Sequence, residues 1–325
     1  MMVLVLLPFL ENSGLQILRA EVTIVSKKVR PKMRDTGFRL AFIYVCLTIL
    51  DTVALKLAGM SFFDSVNHAF TTLSTGGFSP HGMSIEGYKN PWVEIITIAF
   101  MFMGGASFYL HFRLMRHGDW KSYYRSSEIR LYVTIVILFM AVSTLSRVMD
   151  NPDLSVLTAL RQGAFLGLSL VTTTGYTSTG YSTWPVILLI LIVMLMFAGG
   201  CIGSTGGSIK MRRLLMLGKV ILREIEQVLH PNRVMKIKID DEVVDEAVVR
   251  KVVAFVVIWL FLFLAMALFL ACFGHSMVTC ISGAASCLGN VGSGIRQRHG
   301  GLCGYGGLRK DHSHAGYAHR TIRNL

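Results

Sequence analysis

The sequence predicts an all-α integral membrane protein built from repeated helix–pore-loop–helix hairpins. Three observations predict it. The 325-residue chain is 53% hydrophobic and only 16% charged, with a mean hydropathy of +0.55, whereas soluble domains carry about 25% charged residues. Apolar segments recur along it, the clearest being the charge-free run Val252–Phe273, long enough for the roughly 17–25 residues that cross a bilayer. Between such segments, Thr and Ser lead into glycine in Ala69–Ser79 and again in Gly167–Tyr181, with a weaker copy in Ala284–Ile295. The glycines Gly76, Gly175 and Gly292 stand 99 and 117 residues apart, a spacing suited to a repeated membrane hairpin. Glycine loops at membrane depth imply a pore lined by backbone carbonyls, hence an ion-conducting protein.

Taken in order, the chain opens with Met1–Ser13, which has a short apolar core but neither a basic start nor a small-residue cleavage site. That argues against a signal peptide and for the end of a helix, a remnant over residues 1–25. The first hairpin, 26–127, runs Leu40–Leu57, a short helix Ser61–Leu73, the loop Ser74–Ser79 and Trp92–Leu110. Ser61 followed by Asp64 is a capping-box pattern that starts a helix there. A dozen residues at 1.5 Å rise give about 18 Å, half a bilayer. The carboxyl end of such a re-entrant helix directs its negative dipole at the membrane centre and favours a cation.

The second hairpin, 128–235, comprises Leu131–Leu145, Leu157–Val171, the loop Thr172–Tyr181 and Trp184–Ala198. That last run ends in GGCIGSTGGSIKMRR, Gly199–Arg213. Each interior glycine costs a helix about 1 kcal/mol relative to alanine, so the helix must break there before resuming over Lys210–Leu229. Irregular backbone between helices lines a water-filled path in transporters, and the segment reads as a flexible constriction below the loops. GSTGGSIK is not a phosphate loop, because Met211 follows Lys210 and no strand precedes it. The third unit, 236–295, holds Val252–Phe273, Met277–Cys287 and Gly289–Gly294. Residues 296–325 bring no further apolar span, only a polar tail in which HSHAGYAH is weak evidence for a metal. The expectation is a reading frame that departs near Gly294.

The net charge of +13 is placed in Lys27–Arg39, Arg113–Arg130 and Lys210–Lys251, away from the glycine loops. This is the positive-inside pattern, with all three loops outward, and it excludes nucleic-acid binding as the reason for the charge. The six cysteines lack zinc-site spacing, and Cys280 and Cys287 read as small buried hydrophobes. Asp51, His68, Glu94 and Arg161 form no catalytic constellation, so no enzyme is expected; His68 reads as a packed or vestibule-facing residue.

The strings GMSFFDSVNHAFTTLSTGGFSPHGMSI, FMFMGGASFYLHF, TTTGYTSTGY, GGCIGSTGGSIKMRR and AASCLGNVG occur in this order over residues 1–295. Together they resemble the Trk/Ktr family of potassium uptake permeases, and its TrkH-like branch most closely. The resemblance implies four hairpins around one pore, each giving a loop to a shared potassium filter. This chain would keep the second, the third and part of the fourth, lacking most of the first and the arginine-bearing second helix of the fourth. It assigns the filter to Leu73, Ser74, Thr75 and Gly76; to Thr172, Thr173, Thr174 and Gly175; and to Asn290, Val291 and Gly292. It assigns a gating loop to Gly199, Gly200, Gly203, Ser204, Thr205, Gly206, Gly207 and Ser208, with Lys210 beside it. It further implies a multi-pass protein of the bacterial inner membrane, with potassium as the transported ion and no cofactor. The partners it implies are a second copy of the chain and a TrkA-like cytosolic nucleotide-binding subunit facing Lys210–Lys251. The alternative is a non-conducting truncated or frame-shifted product of such a gene.

Overall fold

The computed structural model describes residues 33–295, apart from 183, 233, 234 and 241. The readings made for 1–25 and for 296–325 lie outside the described residues. Of the described helices, α1 (Met33–Leu57), α6 (Ser127–Asp150) and α10 (Glu246–Ala271) are long and apolar enough to cross a membrane. Each is followed by a shorter one with a buried face: α2 (Phe62–Leu73), α7 (Val156–Val171) and α11 (Met277–Gly289). Two of these short helices start from the serine cap that the sequence supplies. Ser61 Oγ accepts the Asp64 N–H at 3.1 Å and Ser276 Oγ accepts that of Thr279 at 3.4 Å, each satisfying an orphan donor.

Each long helix packs on the short helix that follows it, α1 on α2, α6 on α7 and α10 on α11. The closing helix of one hairpin then packs on the short helix of the next. Thus α3 (Pro91–Gly105) lies on α7, and α8 (Val186–Ala198) lies on α11. The core threads these contacts through Met101, Tyr132, Phe165, Leu170, Ile192 and Met196. On α10, Val257, Ile258, Phe261, Leu264 and Leu268 stay exposed, an apolar surface that water would penalise and lipid would not.

Three boundaries correct the sequence reading. The expected helix Trp92–Leu110 is two helices, α3 and α4 (Phe108–His117), bent by 97° at Ala106–Ser107. A side chain at Gly105 would strike Thr172, and the groups freed at the bend are used elsewhere: Gly105 O accepts Cys201 N–H and Phe108 N–H donates to Gly203 O. The run Trp184–Ala198 becomes helical only at Val186, since Pro185 pushes the residue before it out of the helical region. The short third helix continues to Gly289, so Asn290 is its left-handed cap.

A short α5 (Lys121–Arg125) connects α4 to α6, and α9 (Met211–Leu229) follows the glycine-rich break. Beyond it, β1 (Lys238–Ile239) and β2 (Glu242–Val243) form an antiparallel hairpin. Ile237 and Ile239 seat it on Met216, Val249 and Val252.

Candidate functional site

Three loops leave the carboxyl ends of α2, α7 and α11 in one shared hydrogen-bond register. In the first, Gly76 N–H and Gly77 N–H both donate to Thr71 O, at 2.8 and 3.2 Å. In the second, Thr174 and Gly175 donate in the same way to Ser169 O, at 2.9 and 3.2 Å. In the third, Val291 N–H donates to Ser286 O at 2.9 Å. The backbone repeats with it. Thr75 and Gly77, Thr173 and Gly175, and Asn290 and Gly292 all have positive φ, with one residue between the members of each pair. The equivalent residues are therefore Ser74–Gly77, Thr172–Gly175 and Gly289–Gly292.

This register corrects the assignment from sequence. Leu73 is the last residue of α2, one position ahead of the loop, and the glycine equivalent to Gly175 is Gly77 rather than Gly76. Two adjacent glycines gave the sequence no means of choosing between them. Counting back to the shared acceptor in the helix would have chosen.

The loops interlock through these glycines. A Cβ built on Gly77 would run into the carbonyl oxygen of Thr174, and one on Gly175 into that of Val291. Around Gly292 no described atom lies within 4 Å of such a Cβ. Tyrosines brace the joints. Tyr176 Oη lies 2.5 Å from Thr71 Oγ1 on α2, and Tyr181 Oη donates to Gly294 O at 3.1 Å. His68 is buried among Tyr88 and Tyr176, with Nε2 3.1 Å from Ser79 Oγ, so it supports the first loop from behind.

Beneath the loops, Gly199–Lys210 bridges the ends of all three short helices. Thr205 Oγ1 donates to Leu73 O at 2.8 Å, and Gly207 N–H donates to Thr173 Oγ1 at 2.7 Å. Gly206 and Gly207 lie so close to the carbonyls of Thr172 and Gly289 that a Cβ would stand only 2.7 and 2.5 Å from those oxygens. Here glycine is required by close approach rather than by backbone freedom. The bridge is anchored at both ends: Ile202 N–H donates to Glu128 Oε1 at 2.5 Å, and Ser208 Oγ lies 2.8 Å from Met196 O. Lys210 folds its ammonium back onto the bridge, 3.2 Å from Ser204 Oγ and against Gly206 O.

The residues that position this arrangement were mostly not singled out in the sequence. Glu128 lies outside every string singled out in the sequence, and Gly104, Gly105, Tyr176 and Tyr181 lie within such strings but with no role assigned; their roles follow from contacts made across repeats. Glu94 and Arg161, which the sequence placed in no catalytic constellation, form an ion pair at 2.8 Å that ties α3 to α7. Cys280 is buried as expected, whereas Cys287 is exposed.

A family model described as TrkH, a cation transport protein, matches residues 1–132 and 129–297. The chain is 36% identical over 241 residues to the Trk system potassium uptake protein TrkH of Salmonella typhimurium, covering 74% of this chain and 50% of that protein. It is 33% identical over 294 residues to the protein of that name from Vibrio parahaemolyticus, covering 89% and 61%. The crystal structure of the potassium transporter TrkH from Vibrio parahaemolyticus superposes with a TM-score of 0.79 at 32% identity, covering 87% of this chain and 62% of that one. The chain thus spans about half to three-fifths of the length of these relatives.

Proposed function

The chain belongs to the TrkH family of cation transport proteins, and on that premise we propose that it forms the greater part of a potassium uptake path. Its all-α membrane fold is the one its relatives use. The observation that carries the reading is the register common to the three loops, which stacks glycine on carbonyl from one loop to the next. Backbone oxygens held in fixed array replace the hydration shell of a potassium ion as it enters. Short helices ending at that array add the partial negative charge of their last carbonyls. An inside-negative membrane potential then supplies about 2.3 kcal/mol per charge per 100 mV of inward drive.

Gly199–Ser208 acts as the gate. It lies across the exits of the three short helices on hydrogen bonds that an open state would exchange for water, and Lys210 holds it folded. A second copy of the chain and a TrkA-like cytosolic nucleotide-binding subunit complete the assembly in the bacterial inner membrane, the subunit docking on the basic face 210–251. No covalent chemistry is performed and no cofactor is held.

Rubidium uptake in a host lacking its own potassium transport tests the reading. The chain as it stands should support flux, and Gly175→Val, which drives a side chain into the Val291 carbonyl, should abolish it while the protein still reaches the membrane. Flux in Gly175→Val equal to the parent would sink the assignment of these loops. Absence of flux in the parent chain itself would favour the non-conducting alternative.

A further inference from the structure

At the end of α1 that carries the basic cluster, α1 and α4 enclose an open groove of about 690 Å³. Its floor is apolar, and its side chains are poorly covered by protein: Phe42 is 64% exposed, Val45 52% and Met115 60%. Its rim carries two guanidiniums. Arg39 and Arg116 lie 5.6 and 5.9 Å from the centroid of the same ring, that of Phe112. Neither has an ion pair among the described side chains, whereas the neighbouring Arg113 is bound to Asp119 at 2.6 Å. Both guanidiniums line the same groove, and an anion seated in it offsets the repulsion between two like charges drawn to one aromatic ring.

Two further signals bear on the height of this rim. Arg39 lies two residues inside the Gly37–Leu57 span. Trp120, just beyond α4, and Tyr124, within α5, are exposed at 66% and 79% and belong at a membrane–water boundary. Both arginines fall in clusters that the positive-inside rule places on the cytoplasmic face. An occupant must therefore present an anion to the headgroup level and hydrocarbon to the level below. A planar guanidinium fork pairs bidentately with phosphate.

We propose that this groove is a binding site for an anionic phospholipid of the cytoplasmic leaflet, its phosphate held by Arg39 and Arg116 and an acyl chain laid along Phe42, Val45 and Met115. The site is separate from the ion path and does not depend on its assignment. Free phosphate lacks the hydrocarbon that the floor requires, and a zwitterionic lipid lacks the net charge that the rim requires.

The test is native mass spectrometry of the delipidated chain in detergent, titrated with phosphatidylglycerol and with phosphatidylcholine. Phosphatidylglycerol should be retained preferentially, and Arg39→Gln/Arg116→Gln should lower that preference by roughly thirtyfold, the factor expected of two interfacial arginines. Arg113→Gln, whose partner is Asp119, should leave it unchanged. Val45→Trp keeps both arginines and fills the groove, so it should also reduce retention. Equal retention of the two lipids by the parent chain would overturn the proposal. So would an equal loss in Arg113→Gln, undiminished retention in Val45→Trp, or displacement of phosphatidylglycerol by inorganic phosphate.

Discussion

Thr75, Thr173 and Asn290 hold left-handed backbone at equivalent points of the three loops, a conformation that costs a non-glycine residue about 1–3 kcal/mol. Each is retained because the turn it makes delivers the next N–H groups to the preceding helix. At Gly77 and Gly175, two positions later, glycine serves a different need, since only a residue without a side chain admits the neighbouring loop's carbonyl. These roles give opposite expectations for two adjacent residues. Gly77→Ala should lose most rubidium flux, because its methyl would meet the Thr174 carbonyl in a left-handed backbone. Gly76→Ala, where the nearest atom would be Ser74 Oγ at 3.2 Å, should keep most of it. Equal losses in the two variants, at equal amounts in the membrane, would show that the register does not govern conduction.

At the level of elements, the glycine bridge is held from two directions, by the short helices around it and by its own lysine. Lys210→Met removes the internal tie while leaving the hydrogen bonds from Thr205 and Gly207 in place. Unstimulated rubidium flux should rise severalfold, which efflux from loaded vesicles would measure; a fall would mean that the lysine supports the open form. The elements themselves were unequally legible in the sequence. The long spans follow from hydropathy, and the start of α2 follows from Ser61 and Asp64, because both signals are local. The 97° bend between α3 and α4 is not local. Its cause is the approach of the bridge and of Thr172 to Gly104–Gly105, which no window of sequence contains. The two-residue strands 238–239 and 242–243 are too short to show a period, and their seat on Met216 and Val249 is made by the fold. The glycine break was readable as irregular backbone. That it touches all three short helices was not, because each contact joins residues dozens of positions apart.

For the whole molecule, the positive-inside rule assigns the basic segments and the glycine loops to opposite faces of the membrane. In a cysteine-free background, a cysteine at Gly82, which has open space around it, should react with a membrane-impermeant maleimide added outside intact cells. A cysteine at Lys219 should react only after the membrane is opened. Reaction at Lys219 from outside would invert the topology and place the Arg39–Arg116 groove in the other leaflet. The stacking of Gly77 on Thr174 and of Gly175 on Val291 also has a bearing on inheritance. Because each turn has its own codons, a mutation changes one of these loops and spares the other two. Loops supplied by identical subunits would all receive the same change at once. The three loops can therefore differ residue by residue while sharing one backbone, and they do at one position, where Thr75, Thr173 and Asn290 carry the same left-handed turn.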